Sequence, residues 1–333
     1  LFPAVVPLAL GLSYGLSNIR WLGVYWLFPA LALSTSVYCL LFVIPAAYER
    51  PPVIALEDLP DNAHRIDADL GQGVRLLASR TETEQANPGE WIWLTLYWQA
   101  TSAPGNQSGQ EAPMYVAELF GRDDALLGKL QSYHGGGLYP ATLWPEGDVL
   151  AERVVVRLDQ AMALPVQARL NVKLANQETS VDVGTVKVIP QVWPEAAAPV
   201  LAQLNGIDLA AATLAADGIA PGDTARVELR WQVREAPGEA LTTFIHMGDP
   251  TEPPLVQGDS TPLGGHYPTT LWATGEVFSD SYEWVMPADL APGLYPVHAG
   301  LYQAGSGTRL PLVVDGARQP NDAYLVGWIE VQE

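Results

Sequence analysis

The 333-residue chain has one cysteine, three lysines and, across residues 1–48, a single charged side chain, Arg20. Each scarcity excludes something. A lone thiol, Cys39, closes no intrachain disulfide, and cysteine usage leaves the redox compartment open. With 17 basic residues against 37 acidic ones and a net charge of −20, no basic stripe offsets phosphate charge, so no nucleic-acid partner is expected. The same balance disfavours docking on anionic lipid through charge. Catalytic signatures are scarce as well. The soluble part has no nucleophile elbow, phosphate-binding loop or dinucleotide fingerprint. Gly71-Gln72-Gly73 lacks the third glycine and a following helix, and reads as a turn. Acid pairs such as Asp123-Asp124 sit in turn contexts and read as solvated. The five histidines show no H-x-x-x-H or H-E-x-x-H spacing. No catalytic residue, cofactor or metal is expected.

What the chain does have is tryptophan, 11 residues, and proline, 28 residues, which suits a β-rich protein with many turns. It also has a repeat. Gly136-Gly137-Leu138-Tyr139-Pro140-Ala141-Thr142-Leu143-Trp144 returns as Gly264-Gly265-His266-Tyr267-Pro268-Thr269-Thr270-Leu271-Trp272, identical at seven of nine positions with an offset of 128. Glycine permits positive φ, proline fixes φ and tryptophan buries a large apolar area, so the stretch reads as a rigid crossover. The alternative role for Tyr139, Trp144, Tyr267 and Trp272 is stacking on sugar rings. Upstream, Pro88-Gly89-Glu90 and Leu96-Tyr97-Trp98-Gln99 match Pro221-Gly222-Asp223 and Leu229-Arg230-Trp231-Gln232 at an offset of 133. The five extra residues fall in a loop-like interval, Ala100 to Pro113. Downstream, Arg169 to Leu174 aligns with Val297 to Tyr302 at offset 128. A repeat of this size is a duplicated domain rather than a solenoid unit.

Taken in order, residues 1–48 predict a transmembrane hairpin, with spans at about 1–16 and 21–45. The second is 25 residues, about 37 Å as helix, enough to cross with some tilt. Trp21, Tyr25 and Trp26 beside Arg20, with Tyr48 at the far end, look like interfacial anchors. No basic segment precedes the apolar run, so no signal peptide is expected. Arg20 in the turn favours a cytoplasmic hairpin tip and an extracytoplasmic remainder. Residues 49–62 read as a stiff polar tether. Strand-like runs then follow: Trp91 to Trp98, Tyr115 to Phe120, Leu126 to Tyr133, Ala151 to Leu158, Arg169 to Leu174 and Val181 to Val188. A proline-rich linker, 190–200, leads to a second series: Ile207 to Leu214, Ala225 to Val233, Leu241 to Met247, Leu255 to Asp259, Val277 to Val285, Tyr295 to Tyr302 and Tyr324 to Val331. The expected fold is all-β, two tandem immunoglobulin-like or jelly-roll β-sandwiches over 63–189 and 201–333. Leu290-Ala291-Pro292-Gly293-Leu294-Tyr295 resembles the approach to a tyrosine corner; the first copy has Leu164-Pro165-Val166-Gln167 there and lacks the tyrosine. The nearest thing to a ligand cluster is His246, Asp249, Asp259 and His266. Its counterparts in the first copy are Glu118, Gly121, Gln131 and Leu138, so loop polarity is the simpler reading.

Two features together resemble one family. Leu1-Phe2-Pro3-Ala4 before an apolar helix looks like the last membrane segments of bacterial dolichyl-phosphate-mannose–protein mannosyltransferase-like (family 39) glycosyltransferases. An extracytoplasmic pattern of some multi-spanning members is matched by Pro221-Gly222-Asp223, Leu229-Arg230-Trp231, Gly264 to Thr269, Trp272 to Glu276, Pro292 to Tyr295 and Gly300-Leu301-Tyr302. The match covers most of the second domain and, more loosely, the first. The resemblance implies the tail of a lipid-linked-sugar glycosyltransferase whose catalytic acid lies in an early loop, with no counterpart among these residues. It implies membrane lipid, an upstream membrane domain and a glycan or protein acceptor as partners. The alternative is a membrane-anchored surface module that binds carbohydrate or protein without enzymatic activity.

Overall fold

The computed structural model describes residues 24–47, 50–102, 112–215 and 219–332. The chain divides into two compact units, 1–51 and 52–333. In the first, α1 (Val24–Tyr38) runs into a five-residue π-helical turn, Cys39–Val43, and then α2 (Ile44–Ala47). Side chains from Pro29 to Pro45 are exposed, apart from a half-buried Cys39. Among the described residues no single helix is long and apolar enough to cross a membrane. The π-turn divides the run, and α1 alone has 15 residues where a crossing needs about 20. The expected first span, 1–16, lies outside the described residues.

The second unit holds two β-sandwiches. The first is built from β1 (Val53–Ile54), β2 (His64–Asp69), β3 (Val74–Thr81), β4 (Gln85–Ala86), β5 (Trp91–Ala100), β6 (Met114–Phe120), β7 (Leu126–Tyr133), β8 (Val149–Arg157), β9 (Val166–Leu174) and β10 (Val181–Val188). One sheet has the order β1-β8-β5-β3-β2, the other β4-β10-β9-β6-β7. The second sandwich follows with β11 (Ala202–Leu204), β12 (Ile207–Ala215), β13 (Thr224–Val233), β14 (Leu241–Met247), β15 (Val256–Gln257), β16 (Val277–Val285), β17 (Gly293–Gln303), β18 (Val313–Val314), β19 (Ala317–Arg318) and β20 (Tyr324–Val331). Its sheets are β16-β13-β12-β11-β18-β19 and β15-β14-β17-β20. The shared parts correspond: β8-β5-β3 to β16-β13-β12, and β10-β9-β6-β7 to β20-β17-β14-β15.

Strand periodicity accounts for the cores. On β9 and β13 every second side chain is buried, as a strand with one face on the core requires. Trp98, Tyr115, Leu119 and Leu170 sit in the first core, and Trp231, Ile245, Phe278 and Leu301 in the second.

Two expectations change. The tether expected over 49–62 is not free: within it β1 pairs with β8, and Leu59 is buried with Ala63, Tyr97 and Val149. The offset of 128 also fails on one strand. Leu170, Val172 and Leu174 face the first core as Val297, Ala299 and Leu301 face the second, an offset of 127. A slip of one residue exchanges the faces of a strand; offset 128 would pair core Leu170 with His298, which lies outside the core cluster.

Candidate ligand-binding site

The repeated stretch is a pair of structural knots joining β7 to β8 and β15 to β16. Gly264 and Gly265 have φ of 65° and 85°, as the crossover requires. The Trp272 indole N–H donates to the Tyr267 carbonyl at 3.1 Å, as Trp144 does to Tyr139 at 3.0 Å. Trp144, Tyr267 and Trp272 are 1%, 0% and 3% exposed, and Tyr139 is half buried against the first core. A sugar ring has no face to stack on at Trp144, Tyr267 or Trp272. Those three carry the crossover and not a binding platform.

Each knot closes over a buried carboxylate. Glu152 accepts from the Gly135 amide (2.8 Å) and the Tyr115 hydroxyl (3.2 Å), and its other oxygen faces His134 Nδ1 at 3.3 Å. Asp280 accepts from the Leu263 amide (2.7 Å) and the Tyr282 hydroxyl (2.5 Å). The same amide-to-carboxylate bond thus recurs, while the tyrosine comes from β6 in one copy and β16 in the other. Burial pushes the Asp280 carboxyl up, and burial beside these carboxylates pushes the Tyr115 and Tyr282 hydroxyls well up. Both phenols remain donors. Both carboxylates lie in the core with no route for a substrate, although His134 Nε2 beside Glu152 is buried without a partner.

The second knot also receives the first sandwich. Lys187 on β10 donates to Glu276 (2.6 Å) and to the Leu271 carbonyl (2.7 Å). Its ammonium lies 5.5 Å from the Tyr267 ring centre, and Tyr267 donates to the other Glu276 oxygen at 2.7 Å. The Gln167 amide donates to the His266 carbonyl at 2.7 Å. His266 therefore belongs to the junction between sandwiches.

The other three members of the histidine–aspartate set do gather, on the outer face of the four-stranded sheet. His246 and His298 are cross-strand partners on β14 and β17. His246 Nε2 meets Asp259 at 3.0 Å, and Arg309 donates to its Nδ1 at 3.2 Å. Arg309 also donates to the Asn321 carbonyl (2.9 Å) and lies 4.2 Å over the Phe244 ring. Because a guanidinium only donates, Nδ1 is the bare nitrogen and Nε2–H points at Asp259. Both ring nitrogens are engaged, so His246 has none left to take a substrate proton as a general base. Asp249 lines a small adjoining cavity of about 30 Å³ with His246, His298 and Arg309. Among the described residues no group of three or more His, Cys, Asp or Glu side chains is placed to hold a metal.

Beside this cavity lies an open depression of about 350 Å³, lined by Asp249, Pro250, Pro296, His298, Leu325 and Trp328. Its floor follows from register. Pro296 pairs with Trp328 and His298 with Leu325, across a bulge between Val297 and His298. Residues 325 and 328 would face opposite ways on a regular strand; the bulge brings both onto one face. The first copy differs at the position of His246. Glu118, the counterpart of His246, is locked between Lys129 (3.3 Å) and Lys173 (3.0 Å). Sequence reasoning found His246, Asp249 and Asp259 but missed His298, Arg309 and Trp328, whose convergence depends on the bulge and on the long β17–β20 connection.

Burial is the main reason both imidazoles titrate below the ordinary histidine range. At His246 the Asp259 carboxylate opposes that shift and Arg309 adds to it; at His298 Arg309 adds to it and Asp249 opposes it. A lowered pKa in the folded state means that the unfolded chain binds more protons just below the usual value of about 6.5. Stability from this pair is full above that pH and is lost as pH falls through the folded pKa values. Melting of the 52–333 unit is expected to drop more between pH 7 and 5 in the wild type than in His246→Gln/His298→Gln; parallel profiles would contradict it.

No protein-family model and no curated protein matches the chain. Among solved structures, a β-glucuronidase 2 from Bacteroides uniformis is 12% identical with a TM-score of 0.22, over 68% of this chain and 26% of its own. A putative β-galactosidase from Bacteroides fragilis is 11% identical with a TM-score of 0.24, over 68% and 32%. A DUF4785 family protein from Legionella pneumophila is 10% identical with a TM-score of 0.21, over 73% and 56%. The chain thus spans between about a quarter and just over half of those structures. TM-scores this low carry no argument about function.

Proposed function

We propose that the chain is the extracytoplasmic, non-catalytic end of a bacterial membrane glycosyltransferase using a lipid-linked sugar donor. The helical segment holds it at the membrane, and the two sandwiches position the acceptor or pack on the enzyme. One observation carries the membrane part: from Pro29 to Pro45 no side chain is buried, although the segment is uncharged and, apart from Ser34, Thr35 and Ser36, mostly apolar. A helix that is hydrophobic all round needs lipid or other protein around it. The consecutive helical run 24–47 is about 36 Å long at 1.5 Å per residue, enough for a bilayer core of about 30 Å.

The sandwich type that fits best is immunoglobulin-like, of the fibronectin kind. Tyr295 at the start of β17 donates to the Ala291 carbonyl at 2.8 Å, the bond a tyrosine corner makes. The second reading, a membrane-anchored binding module without an enzyme, draws support from the open depression at Trp328. In either case the 1–333 chain is expected to stay with membranes through an alkaline wash, while 52–333 is released. A Thr101→Cys variant should react with an impermeant thiol reagent on intact spheroplasts. Release of 1–333 by the wash would overturn the membrane reading, and labelling only after lysis would reverse the topology.

A further inference from the structure

The depression on the outer face of β17 and β20 has the chemistry of one ligand class. Trp328 is 52% exposed at its floor, with Leu325 and Pro296 beside it. An exposed indole face flanked by apolar side chains stacks on a flat, C–H-lined surface while its rim stays wet. At that rim, the Thr251 hydroxyl (2.7 Å) and amide (2.8 Å) both donate to Oδ1 of Asp249. The other carboxylate oxygen keeps its lone pairs for a ligand, and the two bonds hold the group below the usual carboxylate range. His298 lines the same wall, but its Nδ1 is buried and turned away from solvent, so it supplies wall and not a hydrogen-bonding group.

An apolar platform and a carboxylate that accepts from hydroxyls together match a pyranose ring. The volume of about 350 Å³ falls at the lower end of the ~300–1,000 Å³ typical of small-molecule sites. Charge selects within the class. Arg309, the one cation lining the adjoining cavity, is already committed to His246, Asn321 and Phe244. Asp249 and Glu252 line that cavity as well, and the chain carries a net charge of −20. An acidic sugar would meet repulsion without a compensating cation. We infer that this depression is a binding site for a neutral pyranose, with Trp328 as the stacking platform and Asp249 as its hydrogen-bonding partner. The inference rests on the reading of the sandwiches as the part that holds the acceptor.

The test is titration of the 1–333 chain, in a zwitterionic detergent free of sugar head groups, with methyl glucoside, methyl galactoside, methyl mannoside and glucuronate, followed by saturation-transfer NMR. At least one neutral pyranoside should bind with a millimolar dissociation constant, at least tenfold more tightly than glucuronate. Trp328→Ala should weaken it at least tenfold, Trp328→Phe less, and Asp249→Asn several-fold. Trp328 is exposed, so the melting midpoint should hardly move and loss of binding would not reflect unfolding. Binding unchanged in Trp328→Ala, glucuronate bound as tightly as the neutral sugars, or no neutral pyranoside bound would each overturn the inference. A pyranoside still bound by Trp328→Ala would overturn this site while keeping the reading that the sandwiches hold the acceptor, whereas no bound pyranoside would count against both, so the two failures are distinguishable.

Discussion

Trp272→Ala is expected to lower the stability of the second sandwich by about 3–5 kcal/mol, the range for truncating a large buried aromatic. The side chain is 3% exposed. Its ring meets Phe278 edge-on at 5.0 Å between centroids and lies 6.5 Å from Trp231. Removing it opens a cavity that the β15–β16 crossover cannot close, because Tyr267, Thr269 and Leu271 are tied elsewhere. Tyr267 is held by Glu276, the Thr269 hydroxyl accepts from the Leu241 amide at 2.8 Å, and the Leu271 carbonyl accepts from Lys187. The indole N–H bond to the Tyr267 carbonyl is lost as well. Against a usual domain stability of about 5–15 kcal/mol, the loss is large. Urea unfolding of the 52–333 unit, wild type against variant, measures it. A change within about 0.5 kcal/mol, as at an exposed position, would contradict the core assignment and restore the sugar-stacking role.

The second large effect belongs to Lys187→Ala. The Lys187 side chain is 10% exposed and that of Glu276 is 5% exposed, so truncation leaves an unpaired carboxylate in the junction between sandwiches. Breaking one partner of a buried ion pair costs about 3–5 kcal/mol, whereas replacing both by apolar groups is often close to neutral. Lys187→Ala should therefore destabilise strongly, and Lys187→Met/Glu276→Leu should recover most of the loss, less the Tyr267–Glu276 bond. The pair also bridges β10 of one sandwich to the knot of the other. A calorimetric trace with one transition in the wild type should split into two in Lys187→Ala. An unsplit trace with an unmoved midpoint would show that the bridge neither stabilises nor couples the sandwiches.

The two cases differ in how legible they were. Trp272 was readable because a tryptophan that recurs in a duplicated crossover, after glycines and a proline, has a local reason to be buried. Lys187 was not. It is one of three lysines on an alternating strand, and nothing near it in sequence announces that a carboxylate 89 residues away meets its ammonium. The same limit applied to the outer-face site. His246, Asp249 and Asp259 lie within one loop-linked stretch and could be singled out, whereas Arg309 reaches His246 from 63 residues further on. The longer β2 and β3 were not named in the strand series, and the short pieces β1, β4, β11, β18 and β19 were also missed. Runs of two or three residues carry no period; they pair because the neighbouring sheet edge offers free donors and acceptors.

The sequence by itself determined that the chain beyond residue 52 would be β-rich, duplicated and built around aromatic crossovers. Alternation, turn residues and an internal repeat are local properties that survive without coordinates. Tertiary structure decided which faces those strands turned to the core. The bulge between Val297 and His298 shifts the pairing of β17 with β20 by one residue, and such a shift exchanges inside for outside. That exchange puts Leu325 and Trp328 together over His298, and it can be seen only when both strands are in place.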